Sequence, residues 1–86
     1  MDVRKKYVDL VESKAVDYRW DLSYHVVDVM VSVLMTRDKI WVGGSFVQAV
    51  IENNLRQAVL GADDEIVNYI KHMVIARDNF HLDERF

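Results

Sequence analysis

Apolar residues recur at intervals of three and four along most of this chain, which is the spacing of one face of an α-helix. Residues 2–13 predict a short amphipathic helix with a charged back, and residues 14–20 continue it or turn it. Two longer helices are predicted over about 46–60 and 64–79. Because the joint between these two is short, we expect them to form an antiparallel helical hairpin.

Residues 23–36 fit two patterns. Valines and a methionine alternate from Val27 to Met35, which is typical of a strand, but Val27, Met30 and Leu34 also form a helical stripe. The valines favour a strand by propensity. A run of this length without a turn residue is long for a strand in so small a chain. We therefore interpret the segment as a helix, so the predicted fold is all-α.

The connector "RDKIWVGG", residues 37–44, ends this periodicity. Ser45 follows it, with Gln48 three residues later, and this spacing predicts a capping box that opens the 46–60 helix. Gly44, just before the cap, can adopt backbone angles closed to other residues. The apolar stripe of the 46–60 helix is wide enough for contacts on two sides.

The segment "LGADDE" predicts the joint of the hairpin. Gly61 stands where a left-handed glycine commonly ends a helix, and Asp63 can cap the next one. The helix over 64–79 is expected to place polar residues on or beside its wet side, among them His72 and Arg77. Its inward residues are expected to be Ile66, Val67, Ile70, Met73, Val74 and Phe80.

Length and composition indicate one small domain, residues 1–86, with a thin margin of stability. The chain has no cysteine, so disulfides cannot compensate, and its three histidines have no zinc-site spacing. Oligomerisation is the remaining device that small scaffolds use. Because 51% of the residues are apolar, we expect part of this surface to lie at subunit contacts.

The net charge of −3 argues against binding to polymeric nucleic acid, which favours a basic surface. It leaves room for one small anionic ligand held by a few basic groups. No run reaches the roughly 18 apolar residues of a membrane span, and the N-terminus lacks a signal-peptide core. We expect a soluble intracellular protein.

The connector and the start of the helix after it are the first candidate binding site. Amides at a helix start bind phosphate or carboxylate, and Arg37 and Lys39 add positive charge just upstream. Trp41 either stacks on a base or packs inward. The alternative is a tight turn that serves packing alone.

No set of residues indicates catalysis. His25, His72 and His81 lack a cysteine or serine nucleophile, since Ser45 is better used as a cap. A solvated helix start explains the acidic residues at 63–65, and a solvated face explains the basic residues at 4–6. We therefore expect no enzyme, no cofactor and no metal.

The stretch "GGSFVQAVIENNLRQAVLGADDE" resembles the anti-CBASS cyclic-oligonucleotide sponges of tailed bacteriophages. The resemblance covers residues 44–63, and the final helix loosely. Gly43 stands where the family often has proline. The matching residues are Gly44, Ser45, Phe46, Ala49, Val50, Asn53, Leu55, Ala62 and Asp63.

This resemblance implies an all-helical homohexamer in the host cytoplasm that sequesters cyclic dinucleotides, and in some members cyclic trinucleotides, without cleaving them. By position, Tyr24 matches an aromatic residue that stacks on a base, and Lys39 a basic residue that meets the phosphates, with Ser45 joining them. Lys71 or Arg77 would serve a trinucleotide.

A second hypothesis is a phage inhibitor that binds a host defence or nucleic-acid enzyme by protein–protein contact. It would use an acidic surface that imitates nucleic acid: Asp63, Asp64, Glu65, Asp83 and Glu84. The acids are scattered among basic residues, which disfavours this reading. A purely structural oligomer or small regulator is a third alternative.

Overall fold

The computed structural model describes residues 2–82, which are helical and contain no strand. The prediction of an all-α fold is therefore confirmed. The acidic residues Asp83 and Glu84 lie outside the described residues. The elements are α1 (Val3–Tyr18), α2 (Tyr24–Arg37), α3 (Ser45–Ile51), α4 (Leu55–Gly61), a 3-10 helix (Ile66–Tyr69) and α5 (Ile70–Asn79).

Helix α2 is the centre of the core and packs against α1, α3 and α5. Met30 and Leu34 are fully buried on it, together with three of its valines. Because three helices surround α2, apolar residues are needed on most of its circumference, and this explains why its valines also alternate. Full burial of each such side chain contributes about 1.5–3 kcal/mol.

The prediction of one helix over 46–60 was wrong, because the chain breaks between α3 and α4. Asn53 has a φ of 62°, in the left-handed region that asparagine tolerates better than most residues. The Asn54 side chain then caps α4 by accepting the amide of Gln57 at 3.2 Å. Two adjacent asparagines thus end one helix and begin the next.

Three helices end in the same way, with a residue other than glycine in the left-handed conformation. These residues are Arg19, Lys39 and Asn53, with φ values of 58°, 64° and 62°. After each, the next amide donates to the carbonyl five residues earlier at 2.8 or 2.9 Å, as in a Schellman motif. Each end therefore satisfies helix carbonyls while straining one backbone position.

The glycines serve other purposes than those predicted. Gly61 is the last residue of α4 and has no positive φ, so it is not a left-handed stop. Gly44 caps α3 with ordinary extended angles, φ −73° and ψ −170°. Gly43 is the tight position, because a Cβ there would lie 2.6 Å from Cγ1 of Val47. The connector is closely packed at Gly43.

The predicted capping box was also wrong. Ser45 is the first residue of α3 and Gly44 is the cap, which has no side chain to offer. The Gln48 side-chain amide donates instead to the carbonyl of Gly43 at 3.5 Å. Ser45 is one residue too late to act as the cap.

The segment predicted as a helix over 64–79 begins as the 3-10 helix and becomes α-helical at Ile70. Asp63 does act as a cap, since its carboxylate accepts the Ile66 amide at 2.8 Å. Ile66, Met73 and Phe80 are buried as expected, but Val67 is 39% exposed, which corrects its predicted inward position.

An aromatic cluster covers the outer end of the core. Trp20 contacts three rings, with centroid separations of 4.8 Å to Tyr18, 4.7 Å to His72 and 5.6 Å to Phe80. His72 also lies 4.9 Å from the ring of Tyr69.

Nδ1 of His72 is buried without a hydrogen-bond partner in residues 2–82. Burial, and secondarily the charge of Lys71, lower the pKa of His72. The prediction that His72 lies on or beside the wet side misses this packing.

Replacing Arg19 by glycine should stabilise the protein, because glycine adopts the left-handed conformation without steric strain. We expect the free energy of unfolding to rise by about 0.5–1 kcal/mol, measured by urea denaturation. Arg19→Ala is the control, since alanine keeps the Cβ and therefore the strain. Equal effects of the two substitutions would contradict the prediction.

Candidate functional site

Arg37 joins the end of α2 to the end of α5. Its Nη1 donates to the carbonyls of Arg77 and Phe80 at 2.8 and 2.6 Å. Its Nε and Nη2 donate to the two carboxylate oxygens of Asp38 at 2.7 and 2.9 Å. Only 15% of the side chain is exposed. The guanidinium predicted to bind a ligand therefore caps a helix of its own chain.

Arg77 makes similar contacts and joins α5 to the end of α3. Its Nη1 donates to the carbonyl of Val50, in the last turn of α3, at 2.6 Å and to Oδ1 of Asn53 at 3.2 Å. Its Nε donates to Asp78 at 2.8 Å. Like Arg37, this side chain is 15% exposed, so it is not on the wet side of α5. Of the two residues suggested for a trinucleotide, only Lys71 is exposed and without a partner in residues 2–82.

Lys39 and Trp41 lie together on the surface. They line one groove of about 560 Å³, with Ile40, Val42 and Ile51 among the other lining residues. Trp41 is 55% exposed, so it does not pack inward. The Lys39 side chain is exposed and has no partner in the described part of the chain. This groove presents an aromatic face beside an ammonium group.

Tyr24 opens α2 and is 86% exposed. It lines a cleft of about 280 Å³ between α1 and α2. Arg4, Glu12 and Asp28 line the same cleft. The Tyr24 hydroxyl has no hydrogen-bond partner within residues 2–82.

Ser45 lies in a third hollow, of about 260 Å³, which Gly44 and Asp63 also line. Asp63 receives the Ile66 amide, which is the main reason for its lowered pKa, and it pairs with His25 at 2.7 Å. A carboxylate held ionised in this hollow opposes a bound anion there. Lys39 is therefore better placed than Ser45 to meet a phosphate.

Tyr24 and Lys39 are separated by the whole length of α2. Fifteen residues of helix rise correspond to about 22 Å. One chain therefore does not place the Tyr24 ring and the Lys39 ammonium around a single base and its adjoining phosphate. The predicted pairing of these two residues requires a second chain.

Two residues of this cleft, Arg4 and Glu12, were not predicted from the sequence as site residues. Arg4 was assigned to a solvated face, but its guanidinium donates to the carboxylate of Asp28. Arg4, Val8 and Glu12 follow one another at intervals of four, so the helical spacing alone placed them on one face. The missing information was the position of α2 relative to that face.

Comparisons with protein-family models, curated proteins and solved structures gave no match. In residues 2–82, no helix is long and apolar enough to cross a membrane. The same residues contain no group of three or more side chains suited to hold a metal ion.

The carboxylates beside the two arginines have lowered pKa values. For Asp38 the largest cause is the hydrogen bond from Arg37; burial opposes it, and the Tyr7 hydroxyl, at 2.7 Å, adds to it. For Asp78 the cause is the bond from Arg77. A carboxyl whose pKa is lowered by folding stabilises the protein above its unfolded value, and this contribution disappears as the pH falls through the folded value.

Replacing Asp38 by asparagine should therefore destabilise the protein by about 1 kcal/mol at pH 7, because the amide oxygen still accepts a hydrogen bond and only the charge of a solvent-exposed carboxylate is lost. The difference from wild type should narrow as the pH falls below about 4, where the carboxyl of the unfolded wild-type chain begins to be protonated, and should be lost once the pH has fallen through the lower pKa of the folded protein. Urea unfolding followed by circular dichroism at several pH values measures this. Asp17→Asn, an exposed carboxyl on α1, is the control. A difference in the free energy of unfolding between Asp38→Asn and wild type that does not change with pH would contradict the prediction.

Proposed function

We propose that this protein is a non-catalytic phage sponge for cyclic oligonucleotide immune signals. It binds cyclic dinucleotides, with cyclic trinucleotides as a further ligand class, and thereby blocks CBASS-type defence in the host cytoplasm. The proposal rests on the resemblance of residues 44–63 to the sponge family and on the surface chemistry of the fold.

The observation that carries the proposal is the exposure of Tyr24 and Lys39 at opposite ends of α2. Each side chain lacks a partner in residues 2–82. Stacking of a base on an aromatic ring contributes about 1–3 kcal/mol, and an ammonium donates charge-assisted hydrogen bonds to phosphate. In a symmetric assembly, Tyr24 of one chain and Lys39 of another form two equal half-sites, which match the two-fold symmetry of a cyclic dinucleotide.

Exposed apolar side chains support assembly, and we propose a hexamer. They include two sets of neighbouring residues, one on the connector and one on α4, and exposed apolar patches are typical of interaction sites. The connector group is Ile40, Trp41 and Val42, and the α4 group is Leu55, Val59 and Leu60. In this proposal α4 and α5 supply the hairpin arms that pack between subunits.

The alternative, an inhibitor that contacts a host enzyme through an acidic surface, has less support. Asp63 is paired with His25 within the chain. One of the five acids that this alternative requires is therefore already engaged. Two others lie outside the described residues. That leaves Asp64 and Glu65, two adjacent exposed acids, among the described residues.

Light scattering and a thermal-shift panel test the proposal. The protein should behave as an oligomer, and cyclic GMP–AMP or cyclic tri-adenylate should raise its melting temperature, as mass action requires of a ligand that binds the folded state. The ligand should be recovered intact. A monomer that no cyclic nucleotide stabilises would overturn the proposal.

Lys39→Ala should weaken binding of a cyclic dinucleotide more than tenfold, since hydrogen bonds to charged groups contribute about 1.5–3 kcal/mol. Alanine retains the Cβ, so the strain at this position does not change. Isothermal titration calorimetry gives the affinity, and Lys6→Ala, at an exposed lysine of α1, is the control. An unchanged affinity would remove Lys39 from the site.

Tyr24→Ala should weaken binding about five- to 150-fold for each stacked base, whereas Tyr24→Phe should retain most of the affinity. Neither substitution should alter the mass of the oligomer measured by light scattering. Loss of assembly in Tyr24→Ala would assign this tyrosine to a subunit contact instead.

A further inference from the structure

The cleft beside Tyr24 has a charge pattern that a phosphate does not explain. Arg4 and Glu12 lie two turns apart on one face of α1, about 12 Å by helix rise, and Tyr24 faces them from the start of α2. Arg4 is neutralised by its ion pair with Asp28. The Glu12 carboxylate is exposed and has no partner within residues 2–82.

The charge left unpaired among the residues lining this cleft is therefore negative. A carboxylate repels phosphate but accepts hydrogen bonds from N–H groups. The part of a nucleotide that suits the cleft is the base. Stacked on Tyr24, a base would present its polar edge to the walls of the cleft, and Glu12 offers two acceptor oxygens there.

We propose that Glu12 determines base specificity and selects guanine over adenine; this inference rests on the proposed function. The Watson–Crick edge of guanine carries N1–H and the N2 amino group side by side, so a carboxylate accepts both as a bidentate, charge-assisted pair. The corresponding edge of adenine carries one amino group beside the lone pair of N1. That lone pair faces the second carboxylate oxygen and is repelled.

This assignment leaves the phosphates to a separate group. The Watson–Crick edge faces away from the sugar and phosphate, so Glu12 and the phosphates occupy different space. Lys39 of another chain is the proposed phosphate partner. This separation of base contacts from phosphate contacts explains why the exposed ring of Tyr24 lies beside the unpaired carboxylate of Glu12.

Calorimetric titration of the intact protein with cyclic di-GMP, cyclic GMP–AMP and cyclic di-AMP tests the inference. A bidentate base contact discriminates by about 1–3 kcal/mol. Cyclic GMP–AMP, which has one guanine in place of two, should therefore bind about five- to 150-fold less tightly than cyclic di-GMP, and cyclic di-AMP should bind less tightly still. Glu12→Gln should narrow or reverse this order, because the glutamine amide donates one hydrogen bond and accepts another, as the adenine edge requires.

Glu52→Gln makes the same chemical change at an exposed position outside the cleft and should leave the order unchanged. Circular dichroism verifies that each variant is folded. Equal affinities for the three ligands, or an order that Glu12→Gln does not alter, overturn the Glu12 assignment alone. If no cyclic dinucleotide binds the wild-type protein, the proposed function fails and this inference fails with it.

Discussion

Two arginines, each followed by an aspartate, bind the helix ends of this fold to one another. Arg37 connects α2 to the end of α5, and Arg77 connects α5 to the end of α3. Each guanidinium donates two hydrogen bonds to its neighbouring carboxylate and also donates to backbone carbonyls at a helix end. Because both side chains are largely withdrawn from water, loss of either would leave buried acceptors without donors.

These contacts compensate for the small size of the core. The helices α3 and α4 have seven residues each, too few to be stable in isolation. They persist because α3 is capped by Arg77 and packs on α2, and because α4 follows directly from the left-handed Asn53. The connector of residues 37–44 lies between the end of α2, which Arg37 joins to α5, and α3, which Arg77 joins to α5.

The helical class of the fold could be predicted from the sequence, but not every residue at which a helix begins or ends. The length of residues 23–36 was sufficient to decide for a helix against alternating valines. The break at Asn53 could not be predicted, because the Arg77 contact that favours it comes from a residue 24 positions away. Gly44 and Gly61 were misleading, since the chain places arginine, lysine and asparagine at the left-handed positions of the described residues.

The candidate site could also be predicted only in part. Tyr24 and Lys39 are both exposed, and the ligand-binding role that the resemblance implies for them stays a prediction. The structural roles of Arg37 and Arg77 were hidden, because a guanidinium that binds a phosphate and one that binds a carbonyl have the same sequence signature. The acceptor of each lies about 27 to 43 residues away along the chain and is brought near only by folding.

The left-handed backbone at Lys39 has a consequence for any anion that this side chain meets. Two backbone hydrogen bonds, from the amides of residues 39 and 40, fix the peptide at the end of α2. The direction of the Cα–Cβ bond is thereby set before a ligand arrives, and only the side-chain torsions remain to be ordered. Preorganisation of this kind reduces the entropy lost on association, so that more of the ion-pair energy is retained as affinity.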